Sequence, residues 1–256
     1  MPESKGHFVW YELMTTDTAA AKAFYGKVVG WSTQDMPMPD MTYTMFIAGE
    51  APIGGLMDLP EPSRKIGVPP NWMGYVAVDD VDASAAQAKR LGGTVNVPPT
   101  DIPDVGRFSV ISDPQGAVLA LFKSLNPGPD QPAPGTPGRV GWHELLAVDR
   151  EKAFAFYSEL FGWQKSDAID MGPMGTYQLF STGGQAIGGM FTKPPEIPAP
   201  FWLYYVNVGD IDAATERVKA GGGQILNGPM EVPGGDWIIQ GMDPQRAMFA
   251  LVGKRG

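Results

Sequence analysis

Residues 10–31 read WYELMTTDTAAAKAFYGKVVGW, and residues 142–163 read WHELLAVDREKAFAFYSELFGW. The two stretches align without a gap, sharing W-x-E-L at the front, an Asp in the middle, Phe-Tyr further on and Gly-Trp at the end. Such self-similarity points to a repeated architecture. Working outward, the correspondence continues in the same order. Pro52-Ile53-Gly54-Gly55 returns as Ala186-Ile187-Gly188-Gly189, Trp72 to Ala83 returns as Trp202 to Ala213, and Asp113-Pro114-Gln115 returns as Asp243-Pro244-Gln245. The chain is therefore read as a duplication, with domain 1 over residues 1–125, a linker over 126–138 and domain 2 over 139–256. The linker reads NPGPDQPAPGTPG, where proline removes amide donors and glycine adds chain entropy.

Each half divides again into two units of the same order. Residues 8–15 alternate and are rich in aromatic and branched side chains, which predicts a strand. Asp17 caps a helix over 18–29 with an apolar face at Ala20, Phe24 and Val28, and Gly30 ends it. Three short strands are expected near 31–36, 43–48 and 53–59. The second unit repeats this with a strand at 73–78, a helix at 81–91 closed by Gly92-Gly93, and strands near 94–97, 108–112 and 118–123. The fold class that follows is α+β, with four βαβββ modules in two tandem domains.

The 256 residues are 43% hydrophobic and 18% charged, enough to bury a core in each of two domains. A formal charge of -9 without a basic run argues against nucleic acid and anionic membrane as partners. The absence of cysteine removes disulfides, thiolate metal sites and thiol nucleophiles, leaving His7 and His143 as the only imidazoles. The start MPESKGHFVW lacks the pattern of a secretory leader, and no apolar run approaches the roughly 18 residues that span a bilayer. A soluble, cytoplasmic protein is expected, either a monomer that is internally a pseudo-dimer or a weak homodimer.

A strand leading to Asp, a helix carrying Phe-Tyr and ending in Gly, and a later Asp-Pro-x-Gly turn before a final strand resemble the vicinal oxygen chelate superfamily of glyoxalases, bleomycin resistance proteins and dioxygenases. The resemblance covers nearly all of the chain outside the linker and termini. It implies curved mixed sheets that form cup-shaped cavities, and in metal-using members four His or Glu ligands inside the cup. Carried onto this chain, those four places fall on Trp10, near Gly55, near Met73 and on Ala120 in the first half, and on Trp142, near Gly189, near Leu203 and on Ala250 in the second. A divalent cation needs several oxygen or imidazole donors at about 2.0 to 2.6 Å, which these side chains lack. A slip of one residue would recruit His143 in one half but Tyr11 in the other, and would reverse side-chain direction along the strand. No metal and no cofactor are therefore expected.

Glu12 and Glu144 stand two residues beyond Trp10 and Trp142, so alternation turns all four toward the side assigned to the cup. A partly desolvated carboxylate there suits proton transfer, as in enolisation of a small carbonyl compound. The alternative is a structural hydrogen bond to an indole N–H or a tyrosine hydroxyl. Tyr75, Tyr205, Met14, Met73, Leu146, Leu203, Phe122, Ala120 and Ala250, with Tyr43 or Tyr177, would line an apolar cavity for a small molecule; ordinary core packing is the competing reading. His143 has the opposite parity to Trp142 and reads as a packing residue, and His7 as an exposed one. Arg107 stands either at a cavity mouth or in a surface loop tie. The Pro-rich segments 59–70 and 193–200 read as lids or as simple crossovers.

Three functions remain open. The first is a metal-independent protein that binds a small, largely apolar molecule. The second is a glyoxalase-like lyase or isomerase, or a hydroxylase-like enzyme, with Glu12 or Glu144 as general base and Tyr75 or Tyr205 as hydrogen-bond donor. The third is a resistance-type protein that sequesters a drug unchanged.

Overall fold

The computed structural model describes residues 5–38, 41–126, 133 and 135–256, so residues 127–132 and 134 of the expected linker lie outside it. The first module runs β1 (Phe8–Thr15), α1 (Thr18–Val29), β2 (Ser32–Pro37), β3 (Thr42–Ala48) and β4 (Ala51–Asp58), followed by a short helix, α2 (Glu61–Lys65). The second runs β5 (Asn71–Ala77), α3 (Val81–Arg90), β6 (Thr94–Ile102), β7 (Gly106–Ser112) and β8 (Val118–Ser124). The third has β9 (Val140–Ala147), α4 (Arg150–Phe161), β10 (Gln164–Asp170), β11 (Thr176–Thr182) and β12 (Gln185–Thr192). The fourth has β13 (Phe201–Asp210), α5 (Ile211–Ala220), β14 (Gln224–Val232), β15 (Asp236–Met242) and β16 (Met248–Lys254). The strands order as two eight-stranded mixed sheets, β2-β3-β4-β1-β5-β8-β7-β6 and β10-β11-β12-β9-β13-β16-β15-β14. The α+β class with four βαβββ modules is thus observed.

The helix starts have one cause. Asp17, Asp80, Asp149 and Asp210 each accept a hydrogen bond from the backbone N–H three residues on, at 2.9 to 3.1 Å, supplying a partner to a donor the first turn leaves unpaired. Gly30 and Gly162 close α1 and α4 with φ of 88° and 76°, where a Cβ is disfavoured. On α1 the buried face is Ala21, Phe24, Tyr25 and Val28, so Ala21 takes the place expected for Ala20, and the spacing becomes the i, i+3, i+4, i+7 stripe of one helix side.

Packing divides the chain into two compact units that differ from the sequence halves: modules 1 and 4 form one, modules 2 and 3 the other. In the 1/4 unit, α1 packs on module 4, with Phe24 edge-on to Phe249 at 5.5 Å. The buried Tyr25 hydroxyl donates to Asp243 Oδ2 at 3.1 Å and accepts from Trp72 Nε1 at 2.9 Å. Leu13, Phe46, Leu56, Ile239 and Leu251 fill the same core. The 2/3 unit repeats the device: Tyr157 donates to Asp113 Oδ2 at 3.1 Å and accepts from Trp202 Nε1 at 3.2 Å. The Asp-Pro-Gln turns of the repeat are therefore core joints, each Asp also accepting from two backbone N–H groups of its own turn.

Candidate functional site

Each sheet strand has one face toward its helix and core and one face away, and parity sorts the expected site residues. In module 1, Leu13 lies in the core and Tyr11 packs on Tyr204 at 5.4 Å inside the 1/4 unit, so Trp10, Glu12 and Met14 project from the opposite, helix-free face. In module 3, His143 stacks on Phe8 at 4.0 Å in the core of the 2/3 unit, which leaves Trp142, Glu144 and Leu146 on the helix-free face. Tyr204 and Val206 point inward on β13, and Leu203 and Tyr205 outward; on β5, Val76 is inward and Tyr75 outward with Met73.

On these helix-free faces the W-x-E stretches build a hydrogen-bonded chain inside one module. In module 3, Trp142 Nε1 donates to Tyr177 Oη at 2.8 Å, and Tyr177 Oη donates to Glu144 Oε2 at 3.0 Å. In module 1, Trp10 Nε1 donates to Tyr43 Oη at 3.0 Å. Burial raises the Tyr43 phenol above its ordinary range and the neighbouring Glu12 carboxylate raises it further, against a smaller opposing effect of the Trp10 indole. Tyr177 is raised well above 10 by burial first and by Glu144 second. Both phenols are neutral hydrogen-bond relays, unsuited to act as bases near neutral pH.

The Gly-Gly pairs make room for this chain. Glu12 stands opposite Gly55 and Glu144 opposite Gly189 in the parallel pairs β1·β4 and β9·β12. A Cβ on Gly55 would collide with the Tyr43 ring, and one on Gly189 with the Tyr177 ring. Their neighbours face the other way: a Cβ on Gly54 would lie 2.7 Å from the Tyr11 carbonyl oxygen, and one on Gly188 would strike the His143 carbonyl. The second glycine therefore admits the tyrosine ring, and the first admits the adjacent strand.

The other faces differ from each other. In module 2, Tyr75 stands opposite Ala120 and packs against Phe108 and Phe122, with ring centroids 6.4 and 6.1 Å away. In module 4, Tyr205 stands opposite Ala250, and its hydroxyl accepts from Gln240 Nε2 at 2.6 Å. Met73, Leu203, Leu146, Ala120 and Ala250 are buried, and Met14 is half-buried. Sequence reasoning missed Phe108 and Gln240, and the middle position of Tyr43 and Tyr177 in the chain. A signal for Gln240 was present, since it is the polar residue within the apolar run WIIQGM of residues 237–242.

The side chains present do not fit a divalent cation. Trp10 and Trp142 spend their indole N–H groups on tyrosine and offer no lone pair, the Gly55 and Gly189 places are covered by phenol rings, and Ala120 and Ala250 carry no donor. Among the described residues no three His, Asp or Glu side chains converge. The one-residue slip gives no help, because His143 turns into the core, where its Nδ1 lies 2.6 Å from the Ile187 carbonyl oxygen and burial pushes its pKa down to about 4. Arg107 is a surface tie, its guanidinium donating to Asp82 and Asp101 at 2.7 Å each. His7 is half-buried rather than exposed, because it enters β1 beside the Ala77 backbone.

Paired βαβββ modules in mixed sheets, each half with an Asp-capped helix that carries Phe-Tyr and an Asp-Pro-Gln turn before its last strand, define the class. The chain belongs to the Glyoxalase/Bleomycin resistance protein/Dioxygenase superfamily, whose family model matches residues 6–121 and 139–251. It is 34% identical over 246 residues to "Putative glyoxylase CFP32" of Mycobacterium bovis, covering 95% of this chain and 93% of that one. It is 28% identical over 267 residues to the anthracycline biosynthesis protein DauV of a Streptomyces species, covering 95% and 91%. Among solved structures, the Mn(II)-bound glyoxalase of Novosphingobium aromaticivorans superposes with a TM-score of 0.66 at 18% identity, over 99% of this chain and 83% of that one, a likeness of fold.

Proposed function

We propose that this protein binds a small, largely apolar organic molecule on the helix-free faces of its modules, without a divalent metal. The observation that carries the reading is the Trp142–Tyr177–Glu144 chain and its Trp10–Tyr43 counterpart, which fill with saturated indole and phenol groups the places where metal-using relatives keep ligands. Trp10, Met14, Met73, Tyr75, Phe122, Trp142, Leu146, Leu203 and Tyr205, with the small Ala120 and Ala250, make the apolar wall, and Glu12 and Glu144 anchor it. The name of the Streptomyces relative, which refers to anthracycline biosynthesis, supports a flat polycyclic ligand. Among the described residues no helix is long and apolar enough to cross a membrane. The proposal places the protein in the cytoplasm, as a monomer that is internally a pseudo-dimer or as a weak homodimer.

Native mass spectrometry of protein purified without chelator tests the metal-free reading. The expected result is a mass without a stoichiometric divalent ion and ligand binding unchanged by Mn(II), Zn(II) or chelator. Retention of one ion per chain, with binding lost on chelation, would overturn it. A second reading, favoured by the name of the mycobacterial relative, is a lyase or isomerase acting on a carbonyl compound with Glu12 or Glu144 as base. In that case replacing both Glu by Gln abolishes turnover while the protein stays folded.

A further inference from the structure

The Pro-rich crossover that begins at Lys193 forms one wall of an open cleft of about 460 Å³, and the turn that leads into β11 forms the other. That volume is in the range of small-molecule sites. None of the residues assigned to the helix-free faces lines it. Both walls are fixed by their own backbone bonds. In the turn, Met171 N donates to Gly175 O at 2.8 Å and Gly175 N to Gly172 O at 2.9 Å, with both glycines at positive φ, 60° for Gly172 and 80° for Gly175. This sets Pro173 at the cleft beside Met174, which is 55% exposed. In the crossover, Lys193 N donates to Ala147 O at 2.7 Å, and Ile197 N to Pro194 O at 3.1 Å, which closes a turn with Pro195 and Glu196 at its centre.

The cleft carries one charge of each sign. The half-buried Lys193 donates from Nζ to the Ile197 carbonyl oxygen, which pins the ammonium to the wall and leaves two of its three hydrogens to give. Glu196 lines the same cleft, yet among the described residues neither side chain forms an ion pair, with the other or with any other group. The crossover of the first half differs, since there Lys65 and Glu61 pair with each other at 2.8 Å. A molecule with a single charge satisfies one wall group of the cleft and is opposed by the other, whereas a zwitterion satisfies both. We propose that this cleft binds aromatic amino acids, with the carboxylate on Lys193, the amine on Glu196 and the ring on Met174 and the prolines, where a thioether favours an aromatic partner. Walls already held in place lose little freedom when such a ligand arrives.

The test is an NMR titration of the whole chain, isotope-labelled at its methionine methyl groups, with L-phenylalanine, phenylpropionate and phenethylamine. The Met174 signal is identified by its loss in Met174→Leu. Phenylalanine is expected to move that signal and to bind about threefold more tightly than either singly charged analogue, the effect of one exposed charge pair. Lys193→Gln should weaken phenylalanine and phenylpropionate by about threefold without weakening phenethylamine, and Glu196→Gln should weaken phenylalanine and phenethylamine without weakening phenylpropionate. Lys193→Arg keeps a cation on the wall and should retain phenylalanine binding, with melting temperatures showing that the variants are folded. A Met174 signal that phenylalanine leaves unmoved, equal binding of the three molecules, or a folded Lys193→Gln or Glu196→Gln with the wild-type preference would overturn the proposal. Movement confined to Met14 or Met73 would place the ligand on the helix-free faces, overturning the cleft and leaving the reading above intact.

Discussion

Protonation of His143 should be felt as a loss of stability in mild acid. The imidazole is 7% exposed, stacks on Phe8 and places Nδ1 2.6 Å from the Ile187 carbonyl oxygen, so the neutral ring donates there. Burial first, opposed in part by that hydrogen bond, takes its pKa from 6.5 to about 4. A depressed value means that the unfolded chain binds the proton more readily, so the contribution is whole above pH 6.5 and is lost as the pH falls toward 4. Integrating the linkage from about pH 7.5 to about pH 5 gives a loss of about 2 kcal/mol. The informative partner is His143→Phe, which keeps a ring against Phe8 but leaves the Ile187 oxygen without its donor, at a cost of about 1 to 2 kcal/mol at neutral pH. Urea denaturation of both proteins across this range should show the variant less stable at about pH 7.5, with the gap closing or reversing by about pH 5. Other titrating groups are common to both chains and cancel in the difference. A gap that stays constant would refute the buried neutral imidazole, and one that widens in acid would mean that the folded state favours the charged ring.

Tyr177→Phe removes the acceptor of Trp142 and a donor to Glu144, and should cost about 2 to 3 kcal/mol in urea midpoint analysis with a shift in tryptophan emission; a loss below about 0.5 kcal/mol would make the chain incidental. Gly188→Ala sets a methyl group on the His143 backbone carbonyl, whereas Gly189→Ala sets one on the Tyr177 ring, which can yield only by giving up its bonds to Trp142 and Glu144. Thermal melts should show each variant destabilised by about 2 kcal/mol or more, the loss from Gly189→Ala being relieved in a Tyr177→Ala background and that from Gly188→Ala not; relief of Gly188→Ala instead would contradict the assigned faces. Because Phe24 packs on Phe249 and Tyr157 bonds Asp113, residues 1–125 and 139–256 made separately should each be poorly folded, and mixing or co-expression should restore cooperative melting; two independently stable halves would refute the packing of modules across the duplication.

The elements were legible where local chemistry decides them. The Asp17 cap and its repeat at Asp149, the helix-closing glycines and the alternating strands of residues 10–31 and 142–163 gave the βαβββ order and the parity of Trp10, Glu12, Trp142 and Glu144 directly, whereas the Asp80 and Asp210 caps emerged from the structure. Boundaries failed where a residue's effect depends on its place in the sheet. The strand expected near 94–97 runs on through Pro98 and Pro99 to Ile102, because β6 is an edge strand, where a missing N–H breaks no ladder, and the register shift between Val97 and Thr100 absorbs the irregularity. The single turn of α2 was hidden inside a Pro-rich segment, with Pro62 in its first turn and Lys65 paired to Glu61. Asp113 and Asp243 were visible as repeats, but their tyrosine partners lie in the other half of the chain, which sequence spacing cannot reveal. The valine-to-amide exchanges at 97/227 and 110/240 needed the strand register before they could be read as one substitution.

That exchange also indicates which surfaces have been free to change since the duplication. The core joints are retained in both units, with Phe24 and Phe156, Tyr25 and Tyr157, Trp31 and Trp163, and Asp113 and Asp243 in matching roles, because each fills a buried space or satisfies a buried donor. The tyrosine-bearing chains of modules 1 and 3 are retained as well. Beside Tyr75 and Tyr205 the halves differ, because the strand register sets Val97 and Val110 of module 2 where module 4 has Asn227 and Gln240, the amide pair being held by the bond from Gln240 Nε2 to the Tyr205 hydroxyl.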